Sequence, residues 1–396
     1  KKDLRLGNAV VDMYVKCGLL SRAQAMFDSL PVRDVVSWNV MIMGYAESEG
    51  SQKALNFFEE MLAEGVSPDA TTYACILKAC GNMGAAKKGS EIHAEISRKG
   101  MLRNHVHLGS SLIAMYIKCG MLIKAQKVFD ELVVRDLVTW TALLTGYAKE
   151  GHDEEALKCF KQMQLEGISP NSITFIYGLK ACSHIGASEH GSEIHSEIMR
   201  QELLQRDPII GTALVDMYAK CGLSKEAQDV FNKLPSQDIA SWNSLISGYA
   251  QLGEFENVLH SIDKMIEEDE IPDSVTFVSL LISCSHAGLV GKIQTIFEVM
   301  NRDYNIAPTL EHHTCIIDVF GRAGQLYMAA TLVENTAFHS NPALWLALLG
   351  ACQKWSSVEL GRYAFDQLML LDATESAAYA CTYNIYAHRN LLEDGK

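Results

Sequence analysis

Apolar residues recur at helical spacing along nearly the whole chain. Trp38, Met41, Ile42 and Tyr45 fall at i, i+3, i+4 and i+7, which is one stripe on a helix. After Gly50 a second stripe follows, through Ala54, Leu55, Phe58, Met61 and Leu62. Two short amphipathic helices split by a glycine predict an antiparallel hairpin. No segment reads as a strand. The eight prolines (Pro31, Pro68, Pro170, Pro208, Pro235, Pro272, Pro308 and Pro342) all fall near joints between such hairpins, where they interrupt no helix.

The hairpins are copies of one another. Trp38, Trp140 and Trp242 lie 102 residues apart, as do Tyr14, Tyr116 and Tyr218, and Cys17, Cys119 and Cys221. SWNVMIMGYA, TWTALLTGYA and SWNSLISGYA are three versions of one segment, and VDMYVKCG, IAMYIKCG and VDMYAKCG of another. Each period divides into units of 31, 35 and 36 residues. The boundaries read as 4–34, 35–69, 70–105, 106–136, 137–171, 172–207, 208–238, 239–273, 274–309 and 310–341. Two divergent units follow, at 342–375 and from 376 onward. Hairpins that each bury a face on the next make an all-α solenoid with one concave wall.

Composition narrows the chemistry. The 396 residues are 48% hydrophobic and 21% charged, a globular balance, and no apolar run reaches membrane-spanning length. No two of the eleven cysteines stand three apart, so zinc ribbons and thioredoxin-type sites are not expected. The start at Lys1-Lys2, with no Met and no leader-like segment, suggests a fragment whose targeting region, if any, lies outside it. A net charge of −14 argues by itself against a nucleic-acid partner.

The unit lengths and motifs nevertheless resemble the pentatricopeptide repeat family, specifically its plant subclass of alternating P, L and S repeats. VVSWNVMIMGYAESEGSQKALNFFEEMLAEGVSPD resembles a P repeat, the 31-residue units with DMYxKCG resemble S repeats, and the 36-residue units L repeats. LEHHTCIIDVFGRAGQL resembles a last S repeat, and PALWLALLGACQKWSSVELGRYAFDQLMLLD with AAYACTYNIYA the E-type motifs that follow one. The resemblance implies a right-handed superhelix of stacked helix-turn-helix hairpins, with some 22 to 24 helices. It also implies single-stranded RNA as partner, one base per repeat.

In that family the fifth and last residues of a repeat read the base. The fifth residues of the P- and S-type units are Asn8, Asn39, Ser110, Thr141, Thr212, Asn243 and Thr314, all small and polar. Their last residues are Asp34, Asp69, Asp136, Asn171, Asp238, Asp273 and Asn341. In the L-type units the fifth residues are Ala74, Ile176 and Val278, which cannot hydrogen-bond to a base. Fifth and second residues share an edge about 100° from the Trp38 stripe, and Val36, Val138 and Ile209 resemble the residues that sandwich bases. An alternative for the last residue is a helix N-cap, and the two roles can coexist. Lys16, Lys118, Lys149, Lys220 and Arg322 recur late in the first helix and are expected to line a phosphate-binding groove despite the acidic total.

The family's pairings imply the read 5′-UUnGAnGUnA-3′, where n marks an L unit. The E-type motifs point to specifying a C-to-U editing site in a mitochondrial or chloroplast transcript. Runner-up readings are a tetratricopeptide-like protein scaffold and an RNA stability or splicing factor. His93-x-Glu95 and His195-x-Glu197 match half of a zinc deaminase motif, but P-C-x-x-C is missing. No catalytic residue, metal or cofactor is therefore expected, and no membrane contact. A DYW-type deaminase would follow this segment or dock on 342–396.

Overall fold

The computed structural model describes residues 2–48, 50–103, 105–371 and 376–388. Of the segment read as E-type motifs, 372–375 and 389–396 lie outside the described residues. Among the described residues there are 23 α-helices, three short 3-10 turns and no strand. None of these helices is long and apolar enough to cross a membrane.

The chain divides into two compact units, 1–190 and 191–396. In the first, helices pair as Val35–Glu47 with Ser51–Ala63, Ala70–Asn82 with Ala86–Arg98, Val106–Lys118 with Leu122–Glu131, and Leu137–Lys149 with Asp153–Leu165. In the second, Pro208–Lys220 pairs with Ser224–Phe231, Ile239–Gln251 with Phe255–Glu267, Leu310–Arg322 with Leu326–Asn335, and Pro342–Lys354 with Val358–Leu371. Within each unit the first helices of successive hairpins pack side by side as one layer, and the second helices cover them from the other side. Stacked hairpins are thus the architecture of both units.

The sequence encodes the helix starts through their caps. Asp34, Asp69 and Asp273 each accept the backbone N–H three residues on, and the hydroxyl of that third residue accepts the cap's own N–H. Such reciprocal caps are each worth about 1 kcal/mol. Helix ends are set by glycine. Gly18, Gly120 and Gly222 have φ of 72°, 69° and 78°, the left-handed region that stops a helix.

The repeated tryptophans hold the core. Trp38, Trp140 and Trp242 are buried edge-on against Phe27, Phe129 and Phe231, at centroid distances of 4.9, 4.5 and 4.5 Å. Tyr45, Tyr147 and Tyr249 each donate at 2.8 Å to a glutamine of the preceding second helix, Gln24, Gln126 and Gln228. The mid-helix glycines are close-approach sites. A Cβ on Gly44 would meet Val15 at 2.7 Å, and one on Gly248 would meet Ala219 at 2.5 Å. The cysteines beside the terminal glycines behave unevenly. Cys119 and Cys221 are half-buried, but Cys17 is exposed.

Candidate nucleic-acid interface

Three of the seven fifth/last pairs are in direct contact. The side-chain amide of Asn8 donates to Asp34 Oδ1 at 3.2 Å, that of Asn39 to Asp69 at 3.0 Å, and that of Asn243 to Asp273 at 3.0 Å. The same carboxylate oxygens accept the helix N–H groups of Ser37, Thr72 and Thr276, so pairing and capping occur in one group of atoms. Burial works against the charge of Asp69. The bonds from the Thr72 N–H, the Asn39 amide and the Thr72 hydroxyl outweigh it and hold the acid below the usual carboxylate range. Asp34 is held down in the same way. The three asparagines are only 8–9% exposed, so the fifth position is largely covered in these units. Their neighbours there are polar, because each sits over the first turn of the next helix.

The other four pairs are not joined. Ser110, Thr141, Thr212 and Thr314 donate back to carbonyls of their own helices, those of His107, Leu137, Pro208 and Leu310, at 2.6–3.3 Å. Their partners Asp136, Asn171, Asp238 and Asn341 still cap the next helix. A threonine hydroxyl is too short to span the gap that an asparagine amide closes.

The second residues stand in solvent as large apolar side chains: Val36 is 51% exposed, Val138 60% and Ile209 64%. Two L-type units do the same with Ile173 and Val275, which the sequence reading passed over. In the first compact unit an open cavity of about 430 Å³ is lined by the fifth residues Ala74 and Ser110, together with Val138, Lys78 and Lys118. In the second, one of about 560 Å³ is lined by Thr314, Arg322 and Lys354. Fifth-position residues therefore border open space in both.

The five cations are not equivalent. Lys16, Lys220 and Arg322 are ion-paired four residues back, to Asp12, Asp216 and Asp318, at 2.7–2.9 Å. In the second S-type unit, 106–136, Ala114 replaces that aspartate. Lys118 bonds instead to the neutral Asn82 at 2.7 Å and keeps its charge uncompensated. Lys149 lies 5.9 Å over the Tyr177 ring. Lys180, exposed at the ninth position of an L-type unit, is a further cation that the thirteenth-position pattern missed.

The PPR repeat family model matches residues 33–82 and 135–184, and the single PPR repeat model matches 8–35, 110–137, 212–239 and 240–269. A mitochondrial pentatricopeptide repeat-containing protein of Arabidopsis thaliana is 36% identical over 99% of this chain and 70% of its own length. The chain belongs to the pentatricopeptide repeat family. The chloroplastic member CRR2 of the same plant is 35% identical over 100% of this chain and 61% of its own length. Among solved structures, the pentatricopeptide repeat protein PPR10 in complex with an 18-nt psaJ RNA element shares the fold, with a TM-score of 0.76 at 20% identity. That match covers 98% of this chain and 59% of PPR10. The segment in hand thus spans between 59% and 70% of these relatives.

In this pentatricopeptide repeat chain the two H-x-E matches are structural. His93 Nδ1 lies 2.9 Å from the Tyr116 hydroxyl, and His195 Nδ1 3.0 Å from that of Tyr218. Glu95 turns elsewhere, accepting from Tyr73 at 2.7 Å and pairing with Lys99 at 3.0 Å. Burial lowers the pKa of both histidines, which disfavours their charged form. Among the described residues no group of three His, Cys, Asp or Glu is arranged to hold a metal.

Proposed function

We propose that this pentatricopeptide repeat segment binds single-stranded RNA sequence-specifically, reading 5′-UUnGAnGUnA-3′ and so specifying a C-to-U editing site in an organellar transcript. The ten repeats are those of 4–341. The observation that carries the proposal is the joined polar pair at Asn8–Asp34, Asn39–Asp69 and Asn243–Asp273. It recurs only where the fifth residue is asparagine, beside exposed apolar side chains suited to stacking on bases. The mitochondrial and chloroplastic relatives support an organellar setting, and PPR10 supports RNA as the class of partner. Asn with Asp would favour U, Ser or Thr with Asp would favour G, and Thr with Asn would favour A. Ala74, Ile176 and Val278 would leave their bases unread. Val36, Val138 and Ile209 would sandwich bases, and Lys16, Lys118, Lys149, Lys220 and Arg322 would face phosphates.

The editing chemistry would come from a DYW-type deaminase, fused after Lys396 or docked on 342–396, with this segment supplying the address. Selection of RNA from a random pool by the purified chain tests the reading. Enrichment of the stated ten-nucleotide pattern supports it, and recovery of no common sequence would reject it.

A further inference from the structure

Each asparagine of the joined pairs is held at both ends, and the second hold comes from the following repeat. Ser37 Oγ donates to Asn8 Oδ1 at 2.8 Å, Thr72 Oγ1 to Asn39 Oδ1 at 2.6 Å, and Thr276 Oγ1 to Asn243 Oδ1 at 2.7 Å. In all three cases the donor is the third residue of the next repeat. These hydroxyl contacts are fully buried, whereas the amide-to-carboxylate contacts are partly open. The oxygen end of each amide therefore points into the packing and the nitrogen end toward the opening.

The hydroxyl has a second acceptor in reach, since Thr72 and Thr276 also lie 3.0 and 3.1 Å from the cap carboxylates. The asparagine contact is the shorter one in every pair. Those carboxylate oxygens already accept a backbone N–H and the amide. Where the fifth residue is not asparagine, the third-position hydroxyl turns away. Thr139 bonds to the Asp136 carboxylate, while Thr174 and Ser241 donate to the backbone carbonyls of Asn171 and Asp238 at 2.8 Å. The choice of acceptor tracks the identity of the fifth residue.

We infer that Ser37, Thr72 and Thr276 are positioning residues that make the fifth-position asparagine a donor-only reader, setting U above C. The inference rests on the base-reading role proposed above. With one amide hydrogen given to the carboxylate and the oxygen taken by the hydroxyl, the asparagine offers the base a single N–H. Uracil presents a carbonyl acceptor beside N3–H, which suits that N–H next to a carboxylate. Cytosine presents an amino donor, which an amide oxygen would satisfy if it were free to turn outward. Removing the hydroxyl leaves the amide held at one end only and lets the oxygen reach the base.

The test uses the full chain and ten-nucleotide RNAs of the stated pattern, with U or C at the eighth place. Thr276→Val should cut the U-over-C affinity ratio about five-fold or more, the scale of one base-edge contact. Thr276→Ser should retain it. Thr174→Val removes the corresponding hydroxyl behind Thr141, and should leave the preference at the fifth nucleotide unchanged. Thr72→Val with the second nucleotide varied provides an independent site should Thr276→Val melt early. An unchanged ratio in Thr276→Val and Thr72→Val, while Asn243→Thr still moves the eighth-base preference, would overturn this inference alone. Loss of preference in Thr174→Val equal to that in Thr276→Val would also overturn it, by tracing the effect to capping. An Asn243→Thr chain whose preference does not move would instead overturn the base-reading role beneath it.

Discussion

Asn39 donates its side-chain amide to the Asp69 carboxylate at 3.0 Å, across the joint between two successive hairpins. One aspartate thereby caps a helix and fixes a side chain of the preceding repeat. On the proposed reading, recognition shares its atoms with this cap, so substitutions at Asp69 or Asp273 are expected to disturb both stability and binding. Informative variants change one of the two roles at a time.

Glycine packing gives a pair of opposite stability predictions. A Cβ on Gly248 would lie 2.5 Å from Ala219 Cβ and 3.1 Å from its Cα, and backbone cannot swing aside. Overpacking of this kind costs about 1–3 kcal/mol, against roughly 1 kcal/mol of helix propensity gained. Gly350, inside the helix Pro342–Lys354, faces open space. Urea melts should show Gly248→Ala destabilised and Gly350→Ala stabilised by up to about 1 kcal/mol. Equal effects of the two would refute the close-approach account.

Acidification should destabilise the fold through the half-buried His93 and His195. Burial lowers the pKa of His93 and His195, with Lys124 and Lys233 acting in the same sense and Glu131 opposing at His93. A lowered folded pKa means that the unfolded chain takes up the proton first. This contribution is whole above the unfolded value of about 6.5 and is lost as pH falls below it, through the folded values. Thermal melts from pH 7.5 to 5.5 should show a decline that is shallower in a His93→Gln/His195→Gln chain. Identical slopes in the two proteins would count against it.

Charge variants should separate free cations from neutralised ones. Among the described residues Lys118 has no acidic partner, whereas Lys220 is paired with Asp216 at 2.9 Å. Lys118→Ala should weaken RNA binding evenly across sequences and reduce the salt slope by about 0.7. Asp216→Asn should release Lys220, tighten binding and steepen the slope. Titrations at several salt concentrations read both effects. Weaker binding by Asp216→Asn would show that Lys220 does not face the RNA.

The helical layers were legible in the sequence because a tryptophan, a capping acid and a terminal glycine recur with each period. The same periodicity marks seven candidate pairs, of which only the three with asparagine at the fifth position are joined. The state of the cations was misjudged, although the signal was present: the aspartate of VDMYVKCG and VDMYAKCG stands one helical turn before the lysine and neutralises it. Periodicity marked Lys16, Lys118 and Lys220 as equivalent, and only the Ala114 substitution distinguishes them. The exposed Ile173 and Val275 carry no such signal, because the apolar fifth residues of the L-type units draw attention away from the second position. The hydroxyls of Ser37, Thr72 and Thr276 were unreadable in advance. Serine or threonine at a helix's third position is ordinary capping chemistry, and its second bond depends on a side chain some 30 residues away.

The central claim is that the fifth and last residues read bases, and Asn243→Thr tests it most directly. With Asp273 retained, binding to the ten-nucleotide RNA should shift at the eighth base from U to G, by about 1–3 kcal/mol. Preferences at the other nine positions should hold, and Ile176→Thr should move the sixth hardly at all. A preference for U that persists in Asn243→Thr, in a chain that melts like the parent, would contradict the account.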